Sequence, residues 1–212
     1  MKTEQLVSLL ATRVEAVDRA RVARHCASAL GAGILATLAF TFSALHPPVS
    51  SHYLSLPMFW VREIYCIALA FAGFFTVVRL ARPGARLGWV PLGIIVPVLV
   101  MWLSAALALQ ATPQQAHPRM VLGNSALICP FLITLSAVPV FAAYLWILRS
   151  FAPTRLRLAG AAAGFAAGSI GAFLYSVHCA ELAAPFIGIW YLLGMLIPTT
   201  IGALCGPRFL RW

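Results

Sequence analysis

The chain has 212 residues, of which 62% are hydrophobic and 9% are charged, and its formal net charge is +10. A protein of this size cannot bury so much apolar surface in its own core, so the composition excludes a water-soluble globular domain and predicts an integral membrane protein. The basic residues lie in short clusters between apolar runs, a pattern that indicates membrane orientation rather than direct nucleic-acid binding.

The first 25 residues form a charged segment without the apolar centre of a cleavable signal peptide, so we expect it to be retained. Apolar residues recur within it at helical spacing beside charged positions, which predicts a short cytoplasmic amphipathic helix. Such a helix is suited to lie on the inner leaflet or to bind a cytoplasmic protein. Its apolar positions are Leu6, Leu9, Leu10 and Val14.

Residues 26–206 are predicted to form an all-α domain of six transmembrane helices, followed by a short cytoplasmic tail, residues 207–212. Each apolar run is long enough to cross about 30 Å of hydrocarbon. Pro57, Pro130 and Pro185 open three of the helices, because proline fits a first helical turn where its missing N–H would be unpaired anyway. The predicted spans are 26–45, 57–78, 89–110, 130–148, 158–177 and 185–206.

The Lys and Arg residues fall on one side of these spans, except for Arg62 in the second span and Arg119 in the third loop. Positively charged loops stay in the cytoplasm. We therefore predict a multi-pass membrane protein with both termini in the cytoplasm and with loops one, three and five on the outer side. The residues on the predicted cytoplasmic side are Lys2, Arg13, Arg19, Arg21, Arg24, Arg79, Arg82, Arg86, Arg149, Arg155, Arg157, Arg208 and Arg211.

Two features lie inside the spans. Gly160, Gly164 and Gly168 form a ridge that lets a neighbouring helix approach closely; packing within the bundle is the first interpretation and a dimer interface the alternative. Arg62 and Glu63 lie near the outer end of the second span, shallow enough to extend toward the interface. As adjacent residues of a helix, they are not expected to pair.

No enzyme motif is present, since the chain has no G-x-S-x-G, H-E-x-x-H or P-loop sequence. None of its five cysteines forms a C-x-x-C pair. We therefore expect neither catalysis nor a required cofactor. A small transporter is an alternative, because prolines inside the spans either break helices around a binding site or simply kink them. These prolines are Pro91, Pro97, Pro139 and Pro198.

Cys129 and Cys179 lie at the predicted outer ends of consecutive antiparallel helices, where a disulfide can persist. Cys129 is near a helix N-terminus, which favours the thiolate. His178 and Glu181 flank Cys179 and could assist it, and Cys129, Cys179 and His178 could hold a heavy-metal ion transiently. A static disulfide in a structural membrane protein is the alternative. The packing cysteines, expected in helices or at their inner ends, are Cys26, Cys66 and Cys205.

Several short motifs occur together in this chain. They are "TEQLVSLLA" near the start, "LPMFWV" at the second span, "RLARPGARLG" after it, "ICP" at the fourth span, "HCAE" after the fifth, "WYLLGMLIP" in the sixth and "FLRW" at the end. Over essentially the whole chain, this combination resembles the NrsF-like polytopic anti-sigma factors of proteobacteria, which include the OsrA-type proteins.

The resemblance implies a negative regulator of transcription in the bacterial inner membrane. Such a protein holds a sigma factor of the extracytoplasmic-function class inactive on the cytoplasmic side of the membrane. It also implies a stress response in which oxidative or heavy-metal stress acts on two outer, redox-sensing cysteines and releases the sigma factor. Those two cysteines are Cys129 and Cys179 here. The N-terminal segment becomes the candidate for sigma binding.

Overall fold

The computed structural model describes residues 18–45, 50–82, 84 and 88–211. Within these ranges there are no strands, and six helices are long and apolar enough to cross a membrane. Short helical turns at Ser51–Ser55, Gln114–Ala116 and His117–Leu122 lie in the loops. The six helices are α1 (Arg19–Ala44), α2 (Pro57–Leu80), α3 (Val90–Gln110), α4 (Ile128–Arg149), α5 (Leu156–Ser176) and α6 (Ala184–Phe209).

The predicted spans agree with these helices within three residues at every boundary except the start of the first. Helix α1 begins at Arg19 rather than at residue 26, because the Asp18 carboxylate accepts hydrogen bonds from the N–H groups of Ala20 (2.9 Å) and Arg21 (3.2 Å). An Asp in this position satisfies N–H groups that have no partner within the helix. The first helix thus includes basic residues that the sequence had assigned to the N-terminal segment.

Helix α5 lies at the centre of the bundle and contacts α2, α4 and α6. Its small residues allow close approach of its neighbours. Ala166 meets Gly73 of α2, and Gly171 meets Ala137 of α4. Helix α3, in contrast, has one fully buried residue, Met101, and rests mainly on α2 and the start of α6. The bundle is therefore held together through α5.

The glycine ridge of α5 faces α6. A Cβ atom added to Gly160 would overlap the carbonyl oxygen of Gly202, and one added to Gly164 would overlap that of Pro198. At Gly168 an added Cβ would lie 2.9 Å from the Cα of Met195. The ridge thus packs within the bundle and lets two backbones come into direct contact, as small residues do between membrane helices.

Helix α1 packs along α4. Near the middle, Thr37 donates a hydrogen bond of 3.0 Å to the carbonyl oxygen of Ser136, and Gly33 lies against Pro139. Toward the ends of α1 and α4 that carry Arg24 and Arg149, the rings of His25 and Trp146 meet edge to face at 4.9 Å. Helix α4 is therefore the main support of α1.

We predict that Gly164→Ala destabilises the protein. The added methyl group would overlap backbone atoms of α6, and overpacking of this kind costs about 1–3 kcal/mol. Thermal unfolding in detergent should show a lower Tm. The control is Gly31→Ala on α1, where an added Cβ has nothing within 4 Å. Equal stability of the two variants would show that the α5–α6 contact tolerates a side chain.

Candidate thiol site

Cys129 and Cys179 meet at one end of the bundle, which we call the thiol end. Cys129 lies in the first turn of α4, where its N–H donates to the Ser125 carbonyl oxygen (2.9 Å). Cys179 follows α5, and its N–H donates to the Ser176 carbonyl oxygen (3.1 Å). Both thiols are free, and they interact with each other directly. The two cysteines singled out from the sequence are therefore neighbours.

The pair is almost completely shielded from solvent. Cys129 is 0% and Cys179 is 3% exposed, and both belong to an apolar cluster that includes Ile133, Phe186 and Tyr191. The Tyr175 side chain interacts with both thiols. A dry site strengthens any charge interaction that reaches the thiols.

Cys66 belongs to the same cluster and is fully buried. The sequence interpretation treated it as a packing residue in a helix or at its inner end. It does lie within a helix, one helical turn beyond Arg62, on the face of α2 that turns toward the thiol pair. Its i, i+4 spacing from Arg62 was the signal for this shared face.

Arg62 was expected to extend its side chain toward the interface, but the side chain turns into the bundle instead. Its side chain is 0% exposed and donates three hydrogen bonds to backbone carbonyl oxygens after and at the end of α5. The last carbonyls of a helix lack partners within it and carry the negative end of the helix dipole, so they attract a cation. The acceptors are the oxygens of Ser176 (2.8 Å), Cys179 (2.8 Å) and Glu181 (3.1 Å).

Glu63 pairs with Arg62, contrary to the expectation for adjacent residues. Its carboxylate lies 3.4 Å from the guanidinium and accepts a hydrogen bond of 2.8 Å from the Ser176 hydroxyl. Both side chains turn toward the end of α5, where the Ser176 hydroxyl and nearby carbonyl oxygens supply polar partners in place of water. The two buried charges thereby offset each other.

His178 and Glu181 point away from the thiol pair. The His178 ring packs edge to face on Phe42 at 5.1 Å, and its burial lowers the pKa of the imidazole. The Glu181 carboxylate accepts a hydrogen bond of 2.8 Å from the backbone N–H of Asn124. Glu181 instead reaches the Cys179 sulfur through its own backbone N–H.

The suggested ligand set of Cys129, Cys179 and His178 is not assembled, because the His178 ring turns to Phe42. In the part of the chain that the structure describes, no group of three or more His, Cys, Asp or Glu side chains is placed to hold a metal ion. A heavy-metal ion bound transiently by the two thiols remains a prediction.

The surroundings of the pair favour a thiolate at Cys179. The hydrogen bond from Cys129 is the main cause, and the Glu181 N–H and the Arg62 charge add to it, so that the pKa of Cys179 falls to about 6. The sequence had instead favoured a thiolate at Cys129, because Cys129 lies near the N-terminus of a helix. A thiolate is the reactive form of cysteine in oxidation and metal binding.

The candidate sigma-binding positions Leu6, Leu9, Leu10 and Val14 lie outside the described residues. The predicted amphipathic helix therefore remains a prediction.

The chain is similar to known proteins over almost its whole length. The family model described as "Negative regulator of sigma F" (NrsF) matches residues 10–212. The "Probable anti-sigma-F factor NrsF" of Azospira oryzae is 44% identical over 213 residues, and the "Anti-sigma-F factor NrsF" of Caulobacter vibrioides is 35% identical over 216 residues. Both alignments cover 100% of each chain. No solved structure matches.

We predict that a mild thiol oxidant joins Cys129 to Cys179 within one chain. Peptide mass spectrometry of the reduced and oxidised protein should detect the linked pair, because the thiols already interact. Cys129→Ser should abolish the link, whereas Cys205→Ser on the far half of α6 should not change it. A predominant link between Cys66 and Cys179 would contradict this pairing.

Proposed function

The chain belongs to the NrsF family of negative regulators of sigma F, and from that premise we propose that it is a membrane-embedded anti-sigma factor that releases an extracytoplasmic-function sigma factor when the Cys129–Cys179 pair reacts. It regulates a sigma factor, and its family is not one of enzymes. The observation that carries the proposal is the meeting of two free thiols at one end of a bundle of six apolar helices.

The proposed signal is a change in the state of the thiol pair. A peroxide oxidises the two thiols to one disulfide: both S–H bonds break as the S–S bond forms, and the two electrons and two protons pass to the peroxide. The peroxide O–O bond breaks and gives water and an alcohol, or two waters. A heavy-metal ion instead bridges the two sulfurs and displaces their protons. The low pKa of Cys179 favours both reactions, since each begins with the thiolate.

The proposed orientation follows the charge pattern. The opposite end of the bundle, which we call the basic end, carries Arg79, Arg149 and Arg208 in the last turns of α2, α4 and α6. By the positive-inside rule this end lies in the cytoplasm, and the thiol end then faces the periplasm of the inner membrane. Residues 1–17, which join α1 at the basic end, are the proposed sigma-binding element.

The proposed route between the two ends is helix α4. It begins at the thiol pair and contacts α1 along its length, and α1 carries the N-terminal segment. Pro139 interrupts the hydrogen-bond ladder of α4 where α1 touches it, so α4 can bend there. Helix α5 is a poor transmitter because its glycine ridge holds it against α6.

The two states of the proposed switch must differ in their affinity for the sigma factor by a definite amount. To change the bound fraction of sigma factor from 99% to 1%, the two states must differ in sigma affinity by about 10⁴, or roughly 5.5 kcal/mol. One covalent bond between α4 and the segment after α5 can select between two packings of that energy difference, because packed helices move as rigid units.

The test is co-purification from membranes. We expect the reduced full-length protein to retain its sigma factor, because the N-terminal segment is intact, and to lose it after treatment with a peroxide or a cadmium salt. Cys129→Ser and Cys179→Ser should retain the sigma factor under both treatments. A variant lacking residues 2–17 should not bind it at all.

Cys205→Ser is the matched control and should release the sigma factor like the unaltered chain. Release from both Cys129→Ser and Cys179→Ser would contradict the thiol switch and favour a static role for the pair. If no sigma factor co-purifies with the reduced chain under any condition, the choice between a transporter and a structural protein can be made by flux into vesicles.

We also predict that Thr37→Val weakens transmission but not sensing. The substitution removes the hydroxyl that joins α1 to α4, and such hydrogen bonds between membrane helices are worth about 0.6 kcal/mol. At equal disulfide content, the ratio of released to bound sigma factor should fall about threefold. Thr41→Val is the control, because Thr41 is equally buried and bonds its own helix at Leu38. An equal effect of both variants would exclude this route.

A further inference from the structure

Arg62 and Glu63 are the two charged side chains that are buried among the described residues. Burying a charge in a membrane protein is expensive, and replacing a buried ion pair by apolar residues is often neutral or stabilising. The stability of the bundle therefore does not by itself explain the pair. Its placement beside the thiols requires another account.

The hydrogen bonds of Arg62 bracket Cys179. One amine of the guanidinium bonds the carbonyl oxygen of Ser176, and the other bonds those of Cys179 and Glu181. These carbonyls span the whole turn that carries the thiol. Phe59 on the same helix and Tyr191 on α6 cover the guanidinium at 5.2 Å and 5.9 Å from their ring centres.

We propose that Arg62 is the positioning residue of the thiol site: its hydrogen bonds hold the turn from Ser176 to Glu181 so that Cys179 faces Cys129. Glu63 holds the guanidinium in place through the ion pair and is itself held by the Ser176 hydroxyl. The inference rests on the proposed function, since a pair that never reacts would need no such alignment.

The geometry of the contact supports this role. The carbonyl oxygens that accept from Arg62 lie before, at and after the thiol, so loss of the guanidinium would free the turn on both sides of Cys179. The planar guanidinium presents its N–H donors in a fixed fork that a lysine ammonium cannot reproduce. The Arg62 side chain is 0% exposed, so water is not at hand to replace these hydrogen bonds.

Two substitutions separate the hydrogen bonds of Arg62 from its charge. Arg62→Gln removes the charge and most of the donors. Arg62→Lys keeps the charge but loses the planar fork that bonds three carbonyls. Because the proposed role is one of position, both variants should slow the joining of Cys179 to Cys129.

The experiment measures the rate at which a mild oxidant joins Cys129 to Cys179. The reduced full-length protein in lipid nanodiscs is treated with diamide for increasing times at one pH, and peptide mass spectrometry reports the linked pair. We expect Arg62→Gln and Arg62→Lys to slow the link about tenfold or more, because a small misplacement of two reacting groups is costly. Alkylation of Cys179 by iodoacetamide, which needs no second thiol, should not slow in Arg62→Lys.

Arg119→Gln is the matched control, since Arg119 is an exposed arginine at the same end of the bundle. Thermal unfolding checks that each variant is folded. If Arg62→Gln does not fold, Arg62→Lys decides. An unchanged linking rate in every folded Arg62 variant would overturn the proposal. The assay contains no sigma factor, so slowed linking in these variants together with failed sigma release from the unaltered chain would contradict the proposed function and leave the role of Arg62 intact.

Discussion

The contact between the Arg62 guanidinium and the backbone carbonyls that end α5 is the constraint on which the rest of the thiol end depends. In a bilayer an unpaired carbonyl has no water to replace its missing partner, so a helix that ends inside the protein must be given donors. Arg62 supplies them from another helix. The contact thereby joins α2 to α5 and fixes the turn that carries Cys179.

The bundle divides into a rigid part and a part that can shift. Helices α5 and α6 are in backbone contact at Gly164, and α2 is held to α5 both by Arg62 and by the approach of Gly73 to Ala166. Helix α4 carries a proline in its middle and supports α1 by side-chain contacts. A bond formed at Cys129 therefore acts on the more adaptable half of the molecule.

Local chemistry in the sequence predicted the spans and the neighbouring thiols, because hydrophobic run length, proline at helix starts and connection length are local properties. The partners of Arg62 could not be read in this way, since they lie more than 110 positions away and are backbone oxygens of no particular residue type. The direction of the His178 ring could not be read for a related reason. Adjacency to Cys179 says nothing about which way a ring turns, and its partner Phe42 lies on a helix far away in the sequence.

The burial of the thiol pair sets a limit on what can reach it. With Cys129 fully covered and Cys179 nearly so, the active site of a protein reductase cannot contact either sulfur, and on the proposed function the pair would react with small molecules alone. Activation would then be gated by molecular size rather than by charge. Recovery would depend on low-molecular-weight thiols or on replacement of the whole molecule, so the response would outlast the stimulus that started it.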